Sequence, residues 1–145
     1  MEKSADFDLK DFLPYLLNLA AEEASLEFQV HYKQRYGMLR TEWRVLFHLG
    51  RYGEMTAREI CDRSRMHKTK ISRAIAKLEK RRFIKRSEVE SDRRHSMVMI
   101  TQRGLSAFKD LVDVAQDFDK RLVAEFSDKE EKILRSALAK LAKLK

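Results

Sequence analysis

The sequence predicts a mostly helical protein carrying one small β-hairpin. Three observations lead there. Only 4 Gly and 1 Pro interrupt 145 residues, so breakers are scarce and connections short. Apolar residues recur at spacings of three and four along most of the chain, the pattern of helices with one buried stripe. After Phe83 that period gives way to alternation, in Ile84–Val89 and again in Met97–Ile100, the pattern of paired strands.

Taken in order, residues 9–36 are predicted as one long helix through Leu9, Phe12, Leu13, Leu16, Leu17, Leu19, Ala20, Ala24, Phe28 and Val30. Pro14 falls near its start, where a missing N–H does little harm, and Gly37 is the expected stop. At 1.5 Å per residue this helix is roughly 40 Å long. A chain of this size does not bury such a helix alone, so a partner chain is implied. A second helix is predicted over 41–52, capped by Thr41 and carrying Trp43, Val45, Leu46, Phe47 and Leu49, with Gly50 and Gly53 at its end.

Thr56-Ala57-Arg58-Glu59 reads as a capping box. The Thr56 hydroxyl accepts from the Glu59 N–H, and the Glu59 carboxylate reaches back to the Thr56 N–H. A short helix follows to about Arg63. The next begins near His67 and buries Ile71, Ala74, Ile75 and Leu78. Glu90–His95 is polar and suits the turn between the two strands. Thr101 caps a long helix through Leu105, Phe108, Leu111, Val112, Ala115, Phe118 and Leu122. Ser127-Asp128-Lys129-Glu130 is a second capping box, opening a last helix through Ile133, Leu134, Ala137, Leu138, Leu141 and Leu144.

Charge singles out one part of this layout. Between Arg63 and Arg94 stand thirteen basic and four acidic side chains, a local charge of +9 in a chain whose formal total is +8. The excess therefore sits on the short helix pair and the hairpin, as an electrostatic footprint for nucleic acid would. Two short helices with a tight turn, the second basic on its outer face, form a helix-turn-helix. The second helix fits a major groove, and its amino-terminal residues reach base edges. Lys68, Thr69, Lys70, Ser72 and Arg73 are of the types that donate to guanine or phosphate. Lys77, Lys80, Arg81, Lys85 and Arg86 lie later and read as phosphate anchors. Arg93 and Arg94, at the hairpin tip, suit the adjacent minor groove, where negative potential concentrates.

Other functions find less support. No stretch approaches the roughly 20 apolar residues that span a bilayer, and no signal-like run follows the polar start, so a cytoplasmic protein without a membrane partner is expected. Cys61 is the one cysteine. It makes no internal disulfide and has no second thiol to resolve a sulfenate, so it reads as a small packing residue. His31, His48, His67 and His95 lack ligand spacing, so no metal is expected. His67 suits a DNA contact or the start of the basic helix. There is no nucleophile elbow, P-loop or glycine-rich nucleotide loop, and neither an enzyme nor a cofactor is expected.

Several of these segments resemble one known family. Thr41-Glu42-Trp43-Arg44-Val45-Leu46, Thr56-Ala57-Arg58-Glu59-Ile60 and Ile71-Ser72-Arg73-Ala74-Ile75-Ala76-Lys77-Leu78-Glu79 are similar to successive motifs of MarR-type (multiple antibiotic resistance) regulators. Asp92-Arg93-Arg94, followed by Val98, Met99, Ile100, Thr101 and Gly104, resembles that family's wing signature. The resemblance runs over nearly the whole chain as one domain, residues 1–145. It implies a winged helix-turn-helix lobe over about 41–101. Long helices at about 9–37 and 102–145 would form an intertwined dimerisation lobe.

It further implies a homodimer on a palindromic double-stranded DNA operator, an Asp92–Arg94 ion pair that stiffens the wing, and repression of transcription. Many relatives respond to small aromatic or anionic ligands. Trp43, Phe47, Tyr15 and Tyr36 are the candidate residues for such an effector, alongside Tyr52, Phe28 and Tyr32. Core or dimer packing is the plainer reading of each residue singly. One departure stands out. The family usually places Gly after the basic helix, whereas this turn reads Lys80-Arg81-Arg82-Phe83, so either Arg82 adopts the glycine conformation at a cost or the helix ends differently. The competing reading is a winged helix for non-specific nucleoid-type DNA binding or for protein contact.

Overall fold

Residues 6–87 and 96–144 are described in the computed structural model. The chain opens with a single 3-10 turn, Leu9–Asp11, before helix α1, Leu13–Tyr36. The helix expected from residue 9 is thus divided. Phe12, between the two pieces, is extended, and Pro14 occupies the first turn of α1. A continuous helix would set the Pro14 ring against the carbonyl four residues earlier. Gly37, with φ 64°, ends α1, and its N–H returns to Lys33.

Helix α2, Arg40–Tyr52, is capped by Leu39, which supplies no side-chain acceptor. Thr41, the expected cap, lies inside the first turn, two residues past Leu39. The reason is non-local. Met38 is fully buried, and Arg40 pairs with Glu22 of α1 through both guanidinium nitrogens, at 3.2 and 3.3 Å. Those two contacts draw the helix start upstream. Gly50 does not end α2. It admits the Phe108 ring, which a Cβ there would meet at 2.4 Å. Gly53, with φ 87°, is the true terminus.

The strand β1, Met55–Thr56, was not foreseen, and it leads into helix α3, Ala57–Ser64. Thr56 caps α3 by accepting from the Glu59 N–H at 3.1 Å. The return bond differs from expectation, since the Thr56 hydroxyl, not its N–H, meets the Glu59 carboxylate at 3.2 Å. The Thr56 backbone belongs to the sheet, opposite Met97. Helix α4 spans Lys68–Lys80, and strands β2, Ile84–Ser87, and β3, Met97–Ile100, follow. The antiparallel sheet has the order β1-β3-β2, with Ile84 opposite Ile100 and Met55 opposite Val98. Val89 and the predicted turn Glu90–His95 lie outside the described residues. Helix α5, Gln102–Leu122, and helix α6, Asp128–Leu141, complete the chain.

Two compact units result, Met1–Val112 and Asp113–Lys145. The first holds the core. Tyr32, Met38, Val45, Leu46, Leu49, Ile60, Ile71, Ile75, Leu78, Phe83, Ile84, Val98 and Leu111 are all buried there. With Met55 of β1, also buried, they come from every helix and strand of that unit, which is why the short α3 and the two-residue β1 persist. In the second unit Ser127 and Glu130 form the complete capping box, and Arg135 pairs with Asp119 at 2.7 Å.

The end of α4 shows how the sheet is attached. Arg82 has φ 64°, so of the two alternatives it is the glycine-like conformation that the turn adopts. Its carbonyl accepts from the Thr101 hydroxyl at 2.7 Å, and the Phe83 carbonyl accepts from the Thr101 N–H at 3.1 Å. The same hydroxyl accepts from the Gly104 N–H at 3.1 Å and so caps α5. Gly104 is a necessity of this join, since a Cβ there would lie 2.0 Å from the Phe83 carbonyl oxygen. Backbone must move to relieve such a contact. Gly104→Ala is therefore expected to destabilise the protein by about 1–3 kcal/mol, measured by urea denaturation.

Candidate nucleic-acid interface

Helices α3 and α4 form the helix-turn-helix, and the local sequence explains its turn. Arg65 closes α3 in the left-handed conformation, φ 56°, with its N–H on the Cys61 carbonyl. His67 then opens α4, and its Nδ1 accepts the Thr69 N–H at 3.2 Å. This is the helix-start role expected of His67. An aromatic acceptor replaces the usual hydroxyl or carboxylate cap, so no negative charge stands at the amino end of α4.

Four apolar residues of α4, Ile71, Ala74, Ile75 and Leu78, are buried and pack against α2 and α3. The predicted stripe is the observed one. Its spacing leaves Lys68, Thr69, Lys70, Ser72, Arg73 and Lys77 on the exposed side. Cations and hydroxyls therefore line one continuous surface, and the first acid on it is Glu79. Glu79 is met by Arg86 of β2 at 3.6 Å. Arg86, expected as a phosphate anchor, thus also neutralises the single acid of α4. Asp92, Arg93 and Arg94 lie outside the described residues.

Arg81, grouped with the phosphate anchors in the sequence, is directed elsewhere. Its guanidinium donates to the Tyr36 carbonyl and lies over the Phe83 ring, 5.2 Å from the centroid. Arg103 covers the same ring at 4.6 Å. Sequence spacing carried no signal for a bond between residues 36 and 81.

The four effector candidates do not converge. Trp43 and Phe47 are together, 5.2 Å between centroids, in a cluster with Phe28, Tyr32 and Phe108. Both are half-buried, and Trp43 packs against the core. Tyr36 joins a different group, its hydroxyl donating to Asp110 of α5 at 2.7 Å. Arg35 adds two bonds to that carboxylate, at 3.0 and 3.1 Å. Tyr15 lies on the first turn of α1, about 30 Å along the helix from Tyr36. Cys61 is half-buried and packs on the core. Among the described residues no three His, Cys, Asp or Glu side chains gather as metal ligands, and no helix is long and apolar enough to cross a membrane.

The winged-helix core matches the model of the MarR family over residues 36–95. An HTH-type transcriptional regulator of Bacillus subtilis, YwaE, is 28% identical over 123 residues, covering 85% of this chain and 72% of that one. Among solved structures, a MarR/EmrR family transcriptional regulator from Acinetobacter sp. ADP1 is 26% identical, with 94% and 96% of the two chains covered and a TM-score of 0.83. BpsR of Bordetella bronchiseptica, in a structure concerned with regulation of its DNA binding by 6-hydroxynicotinic acid, has a TM-score of 0.84 with 96% and 99% covered. At 17% identity that likeness is one of fold.

The Tyr36–Asp110 bond makes a pH prediction. Burial and then the Asp110 carboxylate push the Tyr36 phenol up to about 12. The Tyr36 hydroxyl, ahead of Arg35, holds the Asp110 carboxyl below its ordinary value. A raised phenol keeps its proton when folded, so its contribution is complete below its ordinary pKa of 10.0 and is lost as pH climbs towards 12. A lowered carboxyl has the opposite sense, and its contribution is lost as pH falls below the ordinary carboxylate range. Tyr36→Phe is expected to cost about 1 kcal/mol near neutrality. The difference from wild type should be flat between about pH 5 and 9 and shrink on either side, followed by urea denaturation across pH.

Proposed function

We propose that this chain, which belongs to the MarR family of transcriptional regulators, is a sequence-specific repressor acting as a homodimer on a palindromic duplex. The observation that carries the reading is the outward face of α4. Lys68, Thr69, Lys70, Ser72, Arg73 and Lys77 present donors, and no acid intervenes before Glu79. Hydroxyls and cations at the amino end would read base edges, and Lys77, with Arg86, would hold phosphates. The wing residues Arg93 and Arg94, stiffened by Asp92, would add a minor-groove contact.

Dimerisation is supported by what a single chain leaves uncovered. Of the 24 residues of α1 only Tyr32 is buried, while Leu13, Leu16, Leu19, Leu26 and Val30 are exposed. On α6, Ile133, Leu134, Leu138 and Leu141 are exposed as well. Apolar helix faces of this extent call for a second copy. They suit the division into a DNA-binding lobe over about 41–101 and dimerisation helices at about 9–37 and 102–145. Two copies would set the paired α4 helices in successive major grooves, about 10 base pairs apart.

Release by a small aromatic or anionic effector completes the reading. Trp43 and Phe47 are the residues best placed for it, because they sit half-buried in a cluster of rings shared by α1, α2 and α5. A ligand that binds better to one spacing of the two α4 helices than to another would shift the population away from the DNA-bound form. The cytoplasm is the expected compartment.

The test uses a duplex selected from a random pool by the wild-type protein. Arg73→Ala is expected to lower affinity for that duplex by about 1–3 kcal/mol and to relax the base preference at one position in each half-site. Lys77→Ala should instead weaken selected and random duplexes alike and reduce the salt slope by about one. Fluorescence anisotropy over a salt series separates the two. Unchanged affinity in both variants would remove α4 from the interface.

A further inference from the structure

We infer that Arg81 is a positioning residue, one that sets the angle of α4 by bonding its carboxyl end to the carboxyl end of α1. This role rests on the reading of α4 as the base-reading helix. Arg81 is the carboxyl-terminal cap residue of α4, and its own N–H closes onto the Lys77 carbonyl at 3.1 Å. Its guanidinium is half-withdrawn from solvent and donates to the Tyr36 carbonyl, the last of α1. Carbonyls at the end of a helix have no partner within it and carry its negative pole, so a cation there satisfies both.

Two further contacts restrict the group, one of them with a ring that is itself fixed. The guanidinium lies over Phe83 at 5.2 Å. The Phe83 ring itself is set edge-on to Tyr36, 6.2 Å between centroids. Gly37 borders the remaining side, where a Cβ would come within 3.2 Å of the guanidinium. The α1 end that receives Arg81 is itself held to α5, through Tyr36 and Arg35 on Asp110.

Directional bonds at the carboxyl end matter because the seat along the length of α4 is apolar; Thr101 ties that end to the start of α5, and Arg81 ties it to α1. Ile71, Ala74, Ile75 and Leu78 hold the helix by apolar burial, which tolerates small rotations. Over the roughly 20 Å of α4, a tilt of about 5° at one end displaces the other by about 2 Å. That is enough to misplace Thr69 or Arg73 against a base edge. Non-specific contact with phosphates is far less sensitive to such a shift.

The experiment compares wild type, Arg81→Ala and Arg81→Lys on the selected duplex and on a random duplex of equal length, over a salt series. Each is measured well below its own unfolding temperature, followed by circular dichroism. The expected result is a roughly tenfold loss of affinity for the selected duplex in both variants, with the random duplex and its salt slope unchanged. Lysine should not restore the loss, because it lacks the flat guanidinium that stacks on Phe83. Should Arg81→Ala fail to fold, Arg81→Lys carries the same test. A parallel loss on both duplexes, with a shallower slope and rescue by lysine, would make Arg81 a phosphate contact and overturn the proposal. Lower thermal stability with selected-duplex affinity intact would overturn it too, leaving a structural role. A wild-type protein that does not prefer its selected duplex would instead sink the base-reading role of α4, and this role with it.

Discussion

The carboxyl end of α4 is the join on which the rest of the molecule depends. Within three residues, the Arg81 side chain goes to α1, the Arg82 carbonyl to the Thr101 hydroxyl and the Phe83 carbonyl to the Thr101 N–H. Three different parts of the chain thereby meet at one turn. The left-handed Arg82 backbone and the bare Cα of Gly104 under Phe83 are consequences of that crowding. A non-glycine residue in this conformation is uncommon and costs on the order of 1 kcal/mol. It persists because hydrogen bonds on either side over-determine the turn.

This arrangement leaves the opposite end of α4 unencumbered. The amino end is capped by a His67 nitrogen, and its outward residues are short donors or flexible cations. Apolar burial holds the helix from behind, directional bonds hold it from its far end, and the working surface carries no structural duty. Arg86 is the exception, as it serves the fold by balancing Glu79 while its side chain stays 40% exposed.

Much of this was legible in the sequence, and the reason is periodicity. The stripe Ile71, Ala74, Ile75, Leu78 is local information, and it decided which side of α4 faces outward. The caps at Thr56, Thr101 and Ser127 and the glycine stops at Gly37 and Gly53 are local as well. What escaped depends on partners far along the chain. Strand β1 is two residues long and exists only because β3 passes beside Met55. The start of α2 moved upstream because Glu22, eighteen residues earlier, binds Arg40. Arg81 looked like one more cation in a basic run until Tyr36 came beside it. The aromatic candidates separated into three places for the same reason, since composition supplies rings but not their neighbours.

The central claim is that α4, held from behind and from its end, reads bases on a duplex twice over through a twofold assembly. In vitro selection from a pool of random duplexes tests it most directly. The account predicts recovery of an inverted repeat whose half-sites are centred about 10 base pairs apart, bound in preference to unselected DNA by about 10³-fold or more. A recovered pool with no common sequence, bound no better than the starting material, would contradict it.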